Sequence, residues 1–309
     1  MSLVRELNHV AIRVANMDES LRLYRDLLGG AIIRNAKVGK GHFVYVQLAE
    51  GVIELIQGEP GAANLGLQHI AFLTAIDSDI NKAAEAARSH GCQITVEPKL
   101  TAAGDGYLSF FKDKGGTTYE FIQRNDENIR IKGLKNERIL EFDHISIKTD
   151  NESHADTESL LQNVFGMQVR RILEKPGSVM TYYKLGTSPE GDAAKGQQAA
   201  RPMSGANDES PDTIELLYTT VGRGDPDTPP ATVQPGCMAS SEAKRGDQPI
   251  AHIAFRVPCA SQMYKYLTEN GINATEPIES GLGGFYITNA TGPDGETIEF
   301  LDRCRLEDY

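Results

Sequence analysis

The sequence predicts an α+β protein built from four βαβββ modules. Three observations carry that prediction. A short histidine-led strand pattern occurs four times, as Asn8-His9-Val10-Ala11-Ile12, Gln68-His69-Ile70-Ala71-Phe72, Asp143-His144-Ile145-Ser146-Ile147 and Ala251-His252-Ile253-Ala254-Phe255. Each is followed by a strand with a central glutamate: Val52-Ile53-Glu54-Leu55-Ile56, Thr118-Tyr119-Glu120-Phe121-Ile122, Thr213-Ile214-Glu215-Leu216-Leu217 and Thr297-Ile298-Glu299-Phe300-Leu301. Between each pair lies a helical stretch stopped by glycine. Strand side chains alternate between faces, so each histidine shares a face with the small residue two positions on and with the residue four positions on.

The first module spans 6–57. Asn16 and Glu19 fit a capping box ahead of Leu21, Leu23, Tyr24, Leu27 and Leu28, which recur at roughly helical spacing. Gly29 and Gly30 end that helix. Strands are predicted near 31–34 and 42–48, and the Glu54 strand closes the module. The second module spans 67–123, with a helix over about 77–90 stopped by Gly91 and strands near 93–96, 107–111 and 117–123. Residues 124–140 are charged, lack a core pattern and read as a linker. The third module spans 141–219, with a helix over about 153–164, Gly166 after it, and strands near 168–173, 179–185 and 213–218. The fourth spans 250–303, with a helix over about 261–270 stopped by Gly271 and the Glu299 strand last.

Spacing tests the repeat. His to Glu is 45 positions in the first module, 51 in the second, 47 in the fourth and 71 in the third. The excess in the third is about the length of 186–212, a Gly-, Ala-, Ser- and Pro-rich stretch that reads as an inserted loop. A similar stretch, 222–248, joins the third and fourth modules. Both are polar and poor in aromatics, which favours disordered surface insertions over a cover for one site.

Composition narrows the function classes. A formal charge of −12 argues against a nucleic-acid partner, which needs a basic face. The sequence has no 18-residue apolar run and no apolar leader segment, so a cytoplasmic protein that neither spans nor sits in a membrane is expected. Cys92, Cys237, Cys259 and Cys304 are scattered without a Cys-x-x-Cys pair, which speaks against a thiolate zinc site. A carboxylate in an apolar strand is costly to bury unless it is paired or binds a metal. Arg13, Lys148 and Arg256 stand four positions after His9, His144 and His252, where the second module has Leu73. As substrate-binding cations they imply a small-molecule substrate that is anionic.

Paired βαβββ modules that open on His and close on Glu resemble the vicinal oxygen chelate superfamily, which includes glyoxalase I, methylmalonyl-CoA epimerase, extradiol dioxygenases and bleomycin- and fosfomycin-resistance proteins. The resemblance covers nearly the whole chain twice over. Gly292-Pro293-Asp294-Gly295 resembles the Asp-Pro-Asp-Gly turn of that family, with glycine in its first position. It implies two glyoxalase-like domains, residues 1–123 and 141–309, each a cupped mixed β-sheet with flanking helices around one metal. By the family's motif one site takes His9, Glu54, His69 and Glu120, and the other His144, Glu215, His252 and Glu299. Two imidazoles and two carboxylates suit a divalent cation with vacancies for substrate, without choosing among Ni, Co, Zn, Mn and Fe.

The resemblance also supplies a reaction class: metal-dependent lyase or isomerase chemistry, in which a proton is moved by way of an enediolate on a small anionic carbonyl substrate. Glu120 and Glu299 stand where the glyoxalase and epimerase pattern places a catalytic carboxylate, and Arg13 resembles the arginine that contacts the glutathione glutamyl carboxylate in bacterial glyoxalase I. Extradiol ring cleavage is an alternative. It is disfavoured by Glu215, since those enzymes use two His and one Glu, and by the second half having only His154 beyond the ligand histidines. A non-catalytic, resistance-type binding protein is the other alternative, and such binders usually lack the metal residues. A homodimer is compatible with the pattern, because this family pairs modules within or between chains.

Overall fold

The structure, a computed structural model, describes residues 6–49, 51–60, 66–74, 79–101, 106–124, 139–175, 177–185, 213–219, 250–281 and 283–302. The first module is β1 (Glu6–Val14), α1 (Met17–Leu21), β2 (Ala31–Val38), β3 (Gly41–Leu48) and β4 (Gly51–Gln57). The second is β5 (Gly66–Thr74), α2 (Ile80–Ser89), β6 (Gln93–Leu100), β7 (Gly106–Lys112) and β8 (Thr118–Arg124). The third is β9 (Ile139–Thr149), α3 (His154–Ser159), β10 (Met167–Lys175), β11 (Ser178–Leu185) and β12 (Thr213–Thr219). The fourth is β13 (Ile250–Arg256), α4 (Ala260–Glu269), β14 (Ile278–Glu279), β15 (Tyr286–Thr291) and β16 (Thr297–Leu301). The α+β class and the four βαβββ modules are therefore those the sequence predicts. The strands flanking the predicted linker reach into it, β8 to Arg124 and β9 from Ile139. Residues 125–138, and the loops 186–212 and 222–248, lie outside the described residues.

The modules pair in an order the sequence did not indicate. One eight-stranded sheet runs β14-β15-β16-β13-β1-β4-β3-β2 and joins the fourth module to the first. The other runs β10-β11-β12-β9-β5-β8-β7-β6 and joins the third to the second. The division into a 1–123 pair and a 141–309 pair is corrected accordingly: each sheet draws one module from each half. The seams are antiparallel, β1 against β13 and β5 against β9. Within each module the first and last strands are parallel neighbours.

Alternation sends one set of side chains to the core. Val10, Ile12, Ile70, Phe72, Ile145, Ile147, Ile253 and Phe255 belong to a single buried cluster that runs through both sheets and the helices. Phe165, after α3, packs on Phe255 and Phe300 of the other sheet at centroid distances of 5.7 and 5.5 Å. Tyr24 of the first module meets Tyr119 of the second hydroxyl to hydroxyl. The histidines point from the opposite face of the same strands.

The helices divide the modules into two kinds. Asn16 caps α1 by accepting the Glu19 N–H, as its sequence implies. After Leu21 the helix widens into a π turn, Arg22–Leu27, closed by Leu28 N–H donating to the Leu23 carbonyl at 2.9 Å. In the third module α3 widens in the same way over Leu160–Val164, with Phe165 N–H donating to Leu160 at 3.0 Å. The helices of the second and fourth modules, α2 and α4, are ordinary α-helices. The first module thus resembles the third, and the second the fourth, while the sheets pair unlike modules.

Gly30, just after the π turn, lies tight between the helix end and the sheet. A Cβ there would lie 2.5 Å from Val46 Cγ1, 2.8 Å from Leu48 Cδ2 and 2.8 Å from the Tyr24 carbonyl oxygen. The carbonyl cannot move without loosening the helix end. Gly30→Ala is therefore expected to cost about 1–3 kcal/mol of stability, the usual range for overpacking. Chemical denaturation of the purified variant reads this as a lowered midpoint, and an unchanged midpoint contradicts the close approach.

Candidate metal centres

The seam register assembles two four-residue sets. Across β1 and β13, His252 stands opposite Ala11, and His9 opposite Ala254. Ala11 is also level with Glu54 on β4, and Ala254 with Glu299 on β16. Each alanine therefore sits between a histidine of the facing module and the glutamate of its own. Across β5 and β9 the same positions are His144 opposite Ala71 and His69 opposite Ser146, with Glu120 level with Ala71 and Glu215 level with Ser146.

The quartets are thus His9, Glu54, His252 and Glu299 in one sheet, and His69, Glu120, His144 and Glu215 in the other. All eight predicted residues lie in these sets, but the grouping by sequence neighbourhood is corrected. His9 and His69 stand in different sheets because the chain folds its ends together around its middle.

In the outer quartet, His9 Nε2 lies 3.1 Å from His252 Nε2, and Glu54 Oε2 lies 3.2 Å and 3.4 Å from those two atoms. Glu299 Oε1 is 3.8 Å from His9 Nε2. In the inner quartet, His69 Nε2 lies 3.2 Å from His144 Nε2, with Glu120 Oε2 at 3.3 Å and 3.4 Å. Glu215 stands 3.9 Å from His69 and 3.7 Å from His144. His9, Glu54 and His252 each offer a donor atom within 4.8 Å of the others, as do His69, Glu120 and His144.

These spacings fit a bound divalent ion. Nitrogen and oxygen donors about 2.0–2.2 Å from a common centre lie about 3 Å apart when adjacent. The histidine tautomers fit too. His9 donates Nδ1–H to Asn8 Oδ1 at 2.9 Å, and His144 donates Nδ1–H to Asp143 Oδ1 at 2.7 Å, which leaves Nε2 as the ligating atom. Asn8 and Asp143 escaped the sequence reading, although each directly precedes its histidine.

Electrostatics are strong because these groups lie out of water. Burial pushes the Glu120 pKa up, but hydrogen bonds from His144 and His69 outweigh it and bring it to about 2. Burial likewise opposes ionisation of Glu54, and the bonds from His252 and His9 hold it well below the usual carboxylate range. Burial lowers the His144 pKa, yet Glu215, Asp143 and Glu120 raise it to about 10. His252 is also raised, by Glu299 and Glu54 against its burial, while Arg13 pulls it the other way.

The two centres differ in access. The inner set is buried, with no side chain more than 7% exposed, whereas the His252 and Glu299 side chains are 14% and 13% exposed. The outer set forms the floor of a cavity of about 220 Å³ walled mainly by Val38, Phe43, Ile56, Phe285, Ile287 and Leu301. Arg13 and Arg256 lie on the histidine-bearing faces of β1 and β13, Lys148 on that of β9, all half-buried. None of the three is in the cavity wall.

Comparison with known proteins places the chain in a family. The family model of the glyoxalase/bleomycin resistance protein/dioxygenase superfamily matches residues 6–121 and 152–300. The chain belongs to that superfamily. A lactoylglutathione lyase from Arabidopsis thaliana is 28% identical over 129 residues, covering 39% of this chain and 44% of that protein. One from Haemophilus influenzae is 28% identical over 130 residues, covering 38% of this chain and 92% of that protein. The chain spans about half the length of the plant relatives it matches. The crystal structure of glyoxalase I from Zea mays superposes with a TM-score of 0.65 at 17% identity, covering 96% of this chain and 92% of that one, a likeness of fold. Among the described residues no helix of this superfamily member is long and apolar enough to cross a membrane.

A histidine raised to about 10 is protonated at neutral pH, so a cation entering the inner quartet must displace a proton from His144. Divalent-ion binding is expected to release protons and to weaken as pH falls. Calorimetric titration in buffers of different ionisation enthalpy measures the release, and buffer-independent heats contradict it.

Proposed function

We propose that the protein is a divalent-metal-dependent lyase or isomerase that moves a carbon-bound proton on a small anionic carbonyl compound, with the outer quartet as the working site. The observation that carries this reading is the three-donor set of His9, Glu54 and His252, with Glu299 beside it, at the floor of an apolar cavity. His9, Glu54, His252 and Glu299 hold the cation there, and His69, Glu120, His144 and Glu215 hold one in the inner set. A bound divalent cation polarises a carbonyl and stabilises the negative charge that develops beside it when the neighbouring carbon loses a proton.

The side chains supply the rest. Glu54, against both histidines and Tyr45, stays a fixed ligand. Glu299 is the more distant carboxylate and faces the cavity, so it acts as the base: it takes the proton from one carbon and returns it to the neighbouring one. The hydroxyl proton passes from the oxygen of the first carbon to the former carbonyl oxygen of the second, so the exchange is an isomerisation that needs no oxidant. Phe43, Ile56, Phe285 and Leu301 give the substrate an apolar wall to pack against. Arg13 and Arg256, at either end of the site along their strands, provide positive charge for an anionic substrate. In the inner quartet Glu120 is the nearer carboxylate, 3.3 and 3.4 Å from the two histidines, so by the same geometry it is a ligand and Glu215 the more distant carboxylate. The names of the relatives point to an S-(2-hydroxyacyl)glutathione and its precursor as the substrate pair to try first.

Glu299→Gln keeps the shape but removes the basic carboxylate. Turnover of the methylglyoxal–glutathione hemithioacetal should fall by about 10²–10⁴, with metal content retained. Solvent deuterium should appear at the carbon that receives the proton in the unaltered enzyme. Full turnover by the variant contradicts the assignment, and turnover that consumes oxygen replaces the isomerase reading with ring cleavage.

A further inference from the structure

We propose that Tyr45 and Tyr182 are positioning residues that lock one glutamate of each quartet, Glu54 in the outer and Glu215 in the inner, in the orientation that a bound cation meets. The inference rests on the metal reading of the quartets. Tyr45 on β3 stands directly opposite Glu54, and Tyr182 on β11 directly opposite Glu215. The Tyr45 hydroxyl donates to Glu54 Oε1, and the Tyr182 hydroxyl donates to Glu215 Oε2 at 2.5 Å. Each ring also meets a histidine of its own quartet edge-on, Tyr45 with His9 at 5.9 Å and Tyr182 with His144 at 5.5 Å between centroids. Both tyrosines are buried.

The other two modules lack this device. The residue opposite Glu120 is Phe110, which packs edge-on against His69 at 5.2 Å but has no hydroxyl to give. The residue opposite Glu299 is Asn289. Because the sheets pair unlike modules, every quartet contains one tyrosine-held glutamate and one without a tyrosine. The inner quartet goes further: Ser146, standing where the other modules have alanine, donates its hydroxyl to Glu215 Oε1 at 2.9 Å. Both Glu215 oxygens are thus engaged by hydroxyl groups.

A hydrogen bond from a hydroxyl to a carboxylate is short, strong and directional, and it fixes which lone pairs remain for a metal. A glutamate held this way keeps its place when substrate arrives, whereas Glu299 in the outer quartet has no tyrosine opposite it and Glu120 in the inner quartet is held instead by His69 and His144. Tyr45 therefore fixes Glu54 as a ligand of the outer quartet and leaves Glu299 as its base, while Tyr182 and Ser146 fix the more distant glutamate of the inner quartet.

The test uses the full chain with one quartet disabled at a time, and cobalt(II) as the probe. In a His69→Ala background only the outer quartet is complete, and adding Tyr45→Phe should raise the cobalt dissociation constant about 10- to 100-fold, the usual effect of losing an outer-shell partner. In a His9→Ala background Tyr182→Phe should do the same for the inner quartet. The visible absorption of bound cobalt should change in both. Tyr119→Phe removes a buried hydroxyl outside the quartets and should leave affinity and spectrum unaltered. If Tyr182→Phe folds poorly, Ser146→Ala removes the other hydroxyl on Glu215 and should weaken cobalt in the same direction. Unchanged affinity and spectrum in the tyrosine variants overturn the proposal and leave the metal reading intact. No cobalt bound by the unaltered chain overturns both.

Discussion

The two-residue period of the β-strand, combined with an antiparallel seam, is the constraint on which the rest of the structure depends. It puts His9, Ala11 and Arg13 on one face of β1 and Val10, Ile12 and Val14 on the other, so a single strand serves the site and the core together. A slip of one residue at either seam would turn the histidines into the apolar core and expose the isoleucines. The burial of Val10, Ile12, Ile253 and Phe255 therefore enforces the register that brings His9 and His252 within 3.1 Å of each other. Site geometry and fold stability follow from the same pattern.

The chain also shows how duplication and pairing generate asymmetry. The first and third modules share the widened helix and a tyrosine opposite the closing glutamate. The second and fourth share neither. If like modules paired, one centre would hold two tyrosine-bound glutamates and the other none. Pairing the ends and the middle of the chain gives each centre one of each kind.

Much of this was legible in the sequence because alternation and spacing are local. The His and Glu strands, the Asn16 cap and the glycine stops at Gly91, Gly166 and Gly271 all follow from residues within a few positions of one another. Module pairing is not local. Each module presents its opening strand as a bare edge, and His9 carries no mark that it will meet His252 in preference to His69. The supporting residues were partly legible. Asn8 and Asp143 directly precede their histidines, and Tyr45 and Tyr182 recur in equivalent strands, yet their partners emerge only once the register is known. Arg13, Lys148 and Arg256 follow the alternation from their histidines, but strand parity alone does not tell how far along that face the cavity extends.

The central claim is that each centre joins modules distant in sequence: first with fourth, second with third. Metal content of two paired variants tests it most directly. Removing His9 and His252 together strikes one centre twice, so the chain should still carry one divalent ion, in the His69–His144 set. Removing His9 and His69 strikes both centres, so the chain should carry none. Elemental analysis after reconstitution and desalting distinguishes them. The reverse result, loss of both ions in the first variant and retention of one in the second, would mean that sequence neighbours share a metal and would contradict the account.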